Sequence, residues 1–304
     1  MGDDAAQTAR ELRWLLLSPP LLDTAPGAHP AAVQEFSAAD RASISEWLDV
    51  VECDPAVLFD FVHASQRVVV EGGDPQGPTR PRSLRLGRRA ERLMAFFLRH
   101  GPTHRLVAAN IPLRHVSPLG DRTTVGEIDF LLHDSAGHAW HWELAVKFFL
   151  CTATGSQATA ADFIGPDRAE TFDTKLHKMF DRQLRHLPPP PWDAEPWTAA
   201  ACTRGRLFYR HGGPVPVMPG LHPDHLQGRW IERERLGELP SPDQPVWHLV
   251  PRNDWMCPRA LPTSEGQDLS TLARFIDEGR PGLATMVMRG DIPGALPVFV
   301  LSPT

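Results

Sequence analysis

The sequence predicts an α/β protein built around one group of neighbouring strands. Three strand-like runs follow one another with no helix between them, and an amphipathic helix lies on each side of the group. In chain order the predicted core elements are a helix at 86–99, strands at 104–116, 123–133 and 138–150, a helix at 168–187 and a strand at 205–210. The pattern therefore indicates the order helix, three strands, helix, strand.

The residues before this core predict a helical region that caps it. We expect helices at 7–18, at 37–51 and from Pro55 to about Val68, followed by a loop at 71–81. Ser37 is a typical N-cap for the second of these helices, and Pro19–Pro20 end the first. Glycine and proline dominate the predicted loop.

The residues after the core are rich in proline and tryptophan and predict shorter elements. We expect strands at 246–250 and 297–301 and a helix at 268–277. The chain thus divides into an N-terminal helical region at 1–80, a core at 81–212 and a C-terminal extension at 213–304 that packs on the core.

Composition narrows the class of protein. The 304 residues are 42% hydrophobic and 22% charged, which is typical of globular chains, and the length is about that of two domains. No apolar run approaches the roughly 18 residues of a membrane helix, and the four cysteines form no CxxC pair. The Asp3–Asp4 start is unlike a signal peptide. We therefore expect a cytoplasmic protein without a disulfide framework.

The net charge and the choice of basic residues are both informative. The net charge of −6 argues against a protein that binds nucleic acid over its whole surface. Of the 31 basic residues only Lys147, Lys175 and Lys178 are lysines, and all three fall within a short stretch. In a chain that uses arginine almost everywhere else, these lysines mark places where a compact ammonium group is needed. Lys178 is expected to be solvated.

Two predicted strands carry carboxylates in a regular pattern. In the strand at 138–150, Glu143 and Lys147 share one face with only Ala145 between them, because side chains alternate with period 2. In the preceding strand Glu127 and Asp129 share a face in the same way. Trp140, Trp142 and the other even-numbered residues of the later strand are expected in the core.

The turn between these strands sets their register. If Ser135 to Gly137 form a three-residue loop with Gly137 in the left-handed conformation, Asp129 and Glu143 become cross-strand neighbours. Opposed like charges destabilise a sheet, and a divalent cation between them removes the repulsion. Ligation by oxygen alone favours Mg²⁺ or Mn²⁺ over zinc. His133, His138 and His141 on this hairpin are expected to be surface or partly buried residues.

The two core helices add polar residues beside these strands. Glu91 lies at the border of the apolar stripe of the helix at 86–99, and arginines such as Arg88 and Arg92 lie opposite, where they suit phosphates. On the helix at 168–187, Gln183 projects into a buried stripe that ends at Leu187. A glutamine on a buried face needs a polar partner beneath it.

These motifs resemble a known superfamily. The order of elements, with GEIDFLL and HWELAVK on adjacent strands, is similar to the PD-(D/E)XK nucleases, which have the restriction-endonuclease-like fold. The segments ELRWLLLSPPLL, LGRRAERLMAFFL, GEIDFLL, HWELAVKFFL and GRLFY resemble an uncharacterised bacterial domain family placed in that superfamily. The resemblance covers most of the chain.

The resemblance implies a role for each site residue. The catalytic residues would be Asp129, Glu143 and Lys147, the metal ligands Glu91, Asp129 and Glu143, and the substrate-binding residues Gln183, Lys175, Arg88 and Arg92. One departure concerns spacing, because the usual acid and lysine are two residues apart and here they are four apart. The usual position of the acid, two residues before the lysine, is occupied by Ala145. Either Glu143 reaches the metal from its position one step back along the same face, or Ala145 marks a lost ligand. Lys147 can also simply form a salt bridge with Glu143.

The function implied is hydrolysis of phosphodiester bonds in DNA with Mg²⁺ or Mn²⁺ as cofactor. A non-catalytic nucleic-acid-binding or scaffold protein on a degenerate nuclease fold is the alternative. An RNA-processing nuclease also stays open at this point.

Overall fold

The computed structural model describes residues 2–27, 29–64, 85–116, 122–241, 245–259, 263–279 and 282–302. The chain divides into two compact units. The first contains 1–18, 36–141 and 195–197, and the second contains 19–35, 142–194 and 198–304. Both mix helices with strands, so the predicted α/β class is confirmed. The predicted three-part division stays a prediction.

The α-helices of the described residues are α1 (Gly2–Leu17), α2 (Ala38–Cys53), α3 (Ala56–His63), α4 (Leu86–His100), α5 (Phe172–Asp181) and α6 (Leu269–Asp277). The strands are β1 (Ala32–Val33), β2 (His104–Val116), β3 (Arg122–Asp134), β4 (Ala139–Cys151), β5 (Phe163–Ile164), β6 (Thr198–Arg210), β7 (Gln227–Glu232), β8 (Trp247–Leu249), β9 (Ala284–Arg289) and β10 (Val298–Leu301).

The first unit holds α1 to α4 together with β2 and β3. Helix α4 buries its predicted apolar stripe, including Leu93, Met94 and Phe97. The predicted cap of α2 is confirmed, since the Ser37 hydroxyl accepts a hydrogen bond from the backbone N–H of Asp40. Strands β2 and β3 form an antiparallel ladder with two register shifts.

The turn that leaves β3 has the predicted form. The N–H of Asp134 donates to the carbonyl of His138 at 3.1 Å, and Gly137 has a φ of 84°. The Asp134 carboxylate also accepts hydrogen bonds from the N–H groups of Ala136 and His138. Ser135 to Gly137 therefore form the three-residue loop expected from the sequence, with its last residue left-handed.

The second unit is organised on a mixed sheet. The strand order is β4-β6-β7-β10-β9-β8, while β1 pairs with β6 and β5 pairs with β4. Strand β7 lies parallel to both β6 and β10, whereas β9 is antiparallel to β8 and β10. Residues 139–141 of β4 belong to the first unit and its remaining residues to this one.

Several boundaries differ from the prediction. The helix predicted at 168–187 ends at Asp181, because a 3₁₀ turn over Gln183–Arg185 follows it. Leu187, predicted in the buried stripe, is 85% exposed as a result. Strand β6 begins at Thr198 rather than 205, and strands β7 and β9 were missed. The end of the third predicted helix and the loop at 71–81 lie outside the described residues. Within the described parts, no helix combines the length and apolarity needed to cross a membrane.

Candidate functional site

Two elements of the first unit carry three of the carboxylates considered above. Helix α4 supplies Glu91, and strand β3 supplies Glu127 and Asp129. Glu91 follows Ala90, which is fully buried, so its side chain begins at the edge of the packed face and is only 22% exposed. The predicted border position of Glu91 is therefore confirmed.

Burial and neighbouring charge change the acidity of Glu91. Loss of water around the side chain, with the negative charge of Asp129 and a smaller effect from Glu127, raises the pKa of Glu91 to about 7. The guanidinium of Arg88 acts in the opposite direction and does not cancel this effect. Glu91 therefore holds a proton for much of the time at neutral pH.

Arg88 ties this acidic cluster to strand β2. Its Nη1 atom lies 2.8 Å from Glu91, 3.4 Å from Glu127 and 3.2 Å from Oδ1 of Asn110. The Arg88 side chain is 55% exposed. It can contact a phosphate only in competition with the carboxylates that it already binds.

Asn110 is a residue of this cluster that the sequence reasoning missed. Its φ is 53°, which is left-handed and unusual inside a strand, although asparagine tolerates it better than most residues. In the ladder, Asn110 and Asp129 lie between the pairs Ala109↔Phe130 and Ile111↔Ile128. A polar residue within the apolar run LVAANIPL is the signal that would have identified it.

His141 also belongs to this unit and is buried, with 2% of its surface exposed. The expectation that it lies at the surface or is partly buried was therefore wrong. Burial lowers the pKa of His141 to about 4, while the negative charge of Asp129 opposes that shift. The ring is neutral at physiological pH. His138, in contrast, is 70% exposed, as expected for a hairpin residue.

Other arginines of α4 are already bound within the first unit. The Arg89 guanidinium bonds the buried carboxylate of Glu11, and Arg92 donates to the backbone carbonyl of Val62 at 2.5 Å. The arginines predicted to form a face for phosphates thus stabilise helix packing here. Arg88 keeps the more exposed position.

The second unit holds Glu143, whose side chain has no exposed surface. Its Oε2 atom accepts a hydrogen bond from Nε2 of Gln183 at 2.6 Å. The Gln183 oxygen in turn lies 3.4 Å from Nζ of Lys175, which is also buried. The polar partner expected beneath Gln183 is therefore Glu143. Gln183 reaches it from the 3₁₀ turn after α5 rather than from the helix.

Lys147 forms an ion pair with Glu170. Glu170 lies before α5, and nothing in the sequence pattern singled it out. The predicted alternative partner was Glu143, so within the second unit the lysine has a different counter-ion. The Lys147 side chain is 30% exposed, which leaves part of its surface open to solvent.

Backbone packing also restrains Lys147. Gly205 of β6 approaches so closely that a Cβ atom there would lie 1.7 Å from the carbonyl oxygen of Lys147. Only glycine, which lacks that atom, allows the two strands this separation. The GRLFY segment thus begins with a glycine that positions the strand carrying the lysine.

Apart from Lys147, the face of β4 that carries Glu143 is apolar within the second unit. Ala145 and Phe149 are buried in a cluster with Phe172, Leu176 and other side chains of α5. Phe148, on the opposite face, contacts Trp255. The alternation indicated one polar and one apolar face, but Glu143, Ala145 and Phe149 on the polar face are buried as well. Glu143 is therefore an acid inside a core.

By the contacts they make within each unit, seven of the eight predicted site residues fall into three groups, and the eighth, Arg92, bonds the carbonyl of Val62. Glu91, Arg88 and Asp129 interact in the first unit, Glu143, Gln183 and Lys175 in the second, and Lys147 pairs with Glu170. Among the described residues, no three His, Cys, Asp or Glu side chains are grouped so that they could hold a metal ion.

The fold and these clusters define a mixed α/β protein with ionisable side chains buried beside its strands. The chain belongs to a family described as a domain of unknown function (DUF1853), whose model matches residues 10–288. This match confirms the predicted membership in an uncharacterised domain family. No curated protein and no solved structure matches the chain significantly.

Proposed function

We propose that this protein hydrolyses phosphodiester bonds of nucleic acid, with DNA as the substrate and a PD-(D/E)XK, restriction-endonuclease-like core as the catalytic domain. The observation that carries the proposal is the pair formed by Glu91 on α4 and Asp129 on β3. Two partly buried carboxylates whose charges repel are a combination that a bound cation would stabilise.

The chemistry of the donors fits Mg²⁺ or Mn²⁺. Glu91 and Asp129 offer carboxylate oxygens, which is the ligand type these ions prefer. Glu143, the third ligand predicted from the sequence, belongs to the second unit, and its part in metal binding stays a prediction. A bound divalent ion lowers the pKa of a water molecule and polarises a phosphate oxygen.

The other residues of the proposal act through charge and position. Glu170 and the close packing of Gly205 hold Lys147, whose ammonium group would stabilise negative charge that develops on the phosphate. Lys175 and Gln183, assigned to substrate by the resemblance, also orient the carboxylate of Glu143. Arg88 would bind a phosphate beside Glu91, and Arg92 would add a second positive charge.

One observation favours the alternative of a non-catalytic nucleic-acid-binding or scaffold protein. Lys147 is paired with Glu170, and it lies four residues after Glu143 rather than two. A lysine neutralised by a carboxylate stabilises a developing negative charge less well. On this alternative the fold keeps nucleic-acid binding and has lost the metal.

A cleavage assay tests the proposal directly. Purified protein is incubated with labelled duplex DNA, single-stranded DNA or RNA, in Mg²⁺, Mn²⁺ or EDTA. We expect metal-dependent cleavage of DNA that Asp129→Asn and Lys147→Arg abolish, because a guanidinium cannot replace a compact ammonium in a tight site. Lys178→Arg is the matched control, since Lys178 is exposed. Cleavage of RNA but not of DNA would make RNA the substrate. Binding of DNA without cleavage would favour the non-catalytic alternative.

Thermal melts detect the metal without knowledge of the substrate. At about 100 times its dissociation constant, a cation that binds only the folded state stabilises it by roughly 2.7 kcal/mol. Wild-type protein should therefore melt higher in Mg²⁺ than in EDTA, and Asp129→Asn should lose that difference. Equal melting temperatures of the wild type in both buffers would remove the metal from the proposal.

A further inference from the structure

Arg88 occupies a point on which oxygen atoms from three elements converge. Its Nη1 atom lies 2.8 Å from Oε2 of Glu91 on α4, 3.2 Å from Oδ1 of Asn110 on β2 and 3.4 Å from Oε1 of Glu127 on β3. All four residues belong to the first unit. One nitrogen atom is thus shared by acceptors from a helix and two strands, whereas an ordinary surface pair along a helix involves only that helix.

Asn110 keeps an unusual backbone conformation in this arrangement. Its φ of 53° lies in the left-handed region, which a regular strand does not use. Asn110 and Asp129 occupy the positions of the ladder between the pairs Ala109↔Phe130 and Ile111↔Ile128. The residue whose amide accepts from Arg88 therefore lies opposite the aspartate that the proposed function assigns to the metal.

Arg88 is the positive charge that acts most strongly on Glu91, while Asp129 and Glu127 act on it with negative charge. A divalent cation held by Glu91 and Asp129 would lie beside the guanidinium and repel it. The Arg88 side chain is 55% exposed and belongs to the first turn of α4. It can therefore leave Glu91 for solvent without disturbing the packed face of the helix.

We propose that Arg88 couples the metal to the substrate of the proposed function, on which this inference rests. Without a cation, Arg88 stays on Glu91, Asn110 and Glu127 and is withheld from phosphate. A divalent cation displaces it, and the freed guanidinium then binds a phosphate group of the nucleic acid through two of its N–H groups. Asn110 is the positioning residue that holds Arg88 in the first of these states.

Two consequences distinguish this role from a general attraction between an arginine and DNA. Removal of the Arg88 charge should strengthen metal binding, because the Glu91 carboxylate loses a competing cation. It should weaken DNA binding when metal is present and leave it unchanged in EDTA, because without metal Arg88 is already engaged by the protein. An arginine that only attracts DNA would contribute to the affinity in both buffers.

Titrations of the whole protein measure both consequences. Isothermal titration gives the Mn²⁺ affinity without DNA. Fluorescence anisotropy gives the affinity for a short labelled duplex in EDTA and in saturating Mn²⁺, with phosphorothioate linkages that keep the charge and resist hydrolysis. For Arg88→Met we expect about fivefold tighter Mn²⁺ binding, and about fivefold weaker DNA binding in Mn²⁺ but not in EDTA. Arg85→Met, at the exposed N-cap of the same helix, is the matched control and should change the Mn²⁺ affinity less than twofold.

Asn110→Gly separates the side chain from the backbone. Glycine adopts a φ of 53° without strain, so only the contact of Oδ1 with Arg88 is lost, and Mn²⁺ should bind about threefold tighter. Melting curves check that each variant is folded, and Asn110→Gly decides if Arg88→Met does not fold.

The outcomes separate this inference from the proposed function. Unchanged Mn²⁺ affinity in Arg88→Met and Asn110→Gly, or a loss of DNA affinity in Arg88→Met that is equal in EDTA and in Mn²⁺, would overturn the coupling and leave the metal site in place. A wild type that binds no Mn²⁺ would overturn the metal of the proposed function, and the coupling with it.

Discussion

Glu91 and Glu143 are both acids largely removed from water, yet their units accommodate them differently. Burial raises the pKa of Glu91 most, the charges of Asp129 and Glu127 raise it further, and Arg88 lowers it. Glu143 is fully buried and receives a short hydrogen bond from the neutral amide of Gln183. Protonation therefore removes the charge repulsion at Glu91, whereas the hydrogen bond from Gln183 stabilises Glu143.

The difference bears on the cation proposed above. Around Glu91 the carboxylates outnumber the arginine, so added positive charge replaces a proton and removes repulsion. Around Glu143 the hydrogen-bond donors are supplied by the protein itself. Substitutions should accordingly act through charge in the first unit and through packing and lost hydrogen bonds in the second.

The largest effect is expected for Gly205→Ala in the second unit. The added methyl group would lie inside the contact distance of the Lys147 carbonyl, so the strands must separate or the backbone must deform. We expect a loss of about 4 kcal/mol or more, which is typical of severe steric changes in a core. Denaturant unfolding measures it.

Gly87→Ala in the first unit is the matched control. Gly87 is helical, and a Cβ atom added there would have no neighbouring atom within 4 Å, so alanine should stabilise α4 by up to about 1 kcal/mol. Equal stability of the two alanine variants would contradict the close approach at Gly205.

The next effect is the pH dependence that Glu91 confers. Its pKa is raised from 4.5 to about 7 in the folded protein, so the folded state binds a proton more tightly than the unfolded state. Its contribution to stability is complete below pH 4.5 and is lost as the pH rises to about 7, by up to about 3 kcal/mol. Glu91→Gln should remove this dependence and be the more stable protein at pH 8. The free energy of unfolding of both proteins is measured between pH 4.5 and 8. The same pH dependence in the wild type and in Glu91→Gln would contradict the prediction.

A smaller loss is expected for Glu143→Ala. The substitution leaves the amide of Gln183 without its acceptor inside the protein and opens a small cavity, which together cost about 2 kcal/mol. Glu143→Gln preserves the volume and should recover part of that loss. Chemical denaturation at pH 7 compares the three proteins, and a stable alanine variant would show that the hydrogen bond contributes little.

The smallest effect is expected for Asp129→Asn in EDTA. Removing one negative charge beside Glu91 relieves repulsion, so the free energy of unfolding should stay equal or rise by less than about 1 kcal/mol. The pKa of Glu91 should fall at the same time, which NMR titration of its carboxyl carbon would detect. A clear loss of stability would instead assign Asp129 a structural hydrogen bond.

Much of the secondary structure follows from local sequence. Alternation with period 2 predicted β2, β3 and β4 to within about two residues, and the apolar stripe predicted α4. Ser37 marked the start of α2, and Gly137 marked the hairpin loop. These features depend on residues a few positions apart, whose backbone preferences hold in almost any surroundings.

The tertiary structure alone decided which polar residues meet. Alternation placed Glu143 and Lys147 on one face, but in the folded protein the glutamate is fully buried and accepts from Gln183, while the lysine pairs with Glu170. The left-handed φ of Asn110 and the burial of His141 were not predicted by the alternation either. Periodicity determines the face of an element on which a side chain lies. The element that covers that face, and therefore the charge and solvent each side chain meets, is set by contacts between distant segments.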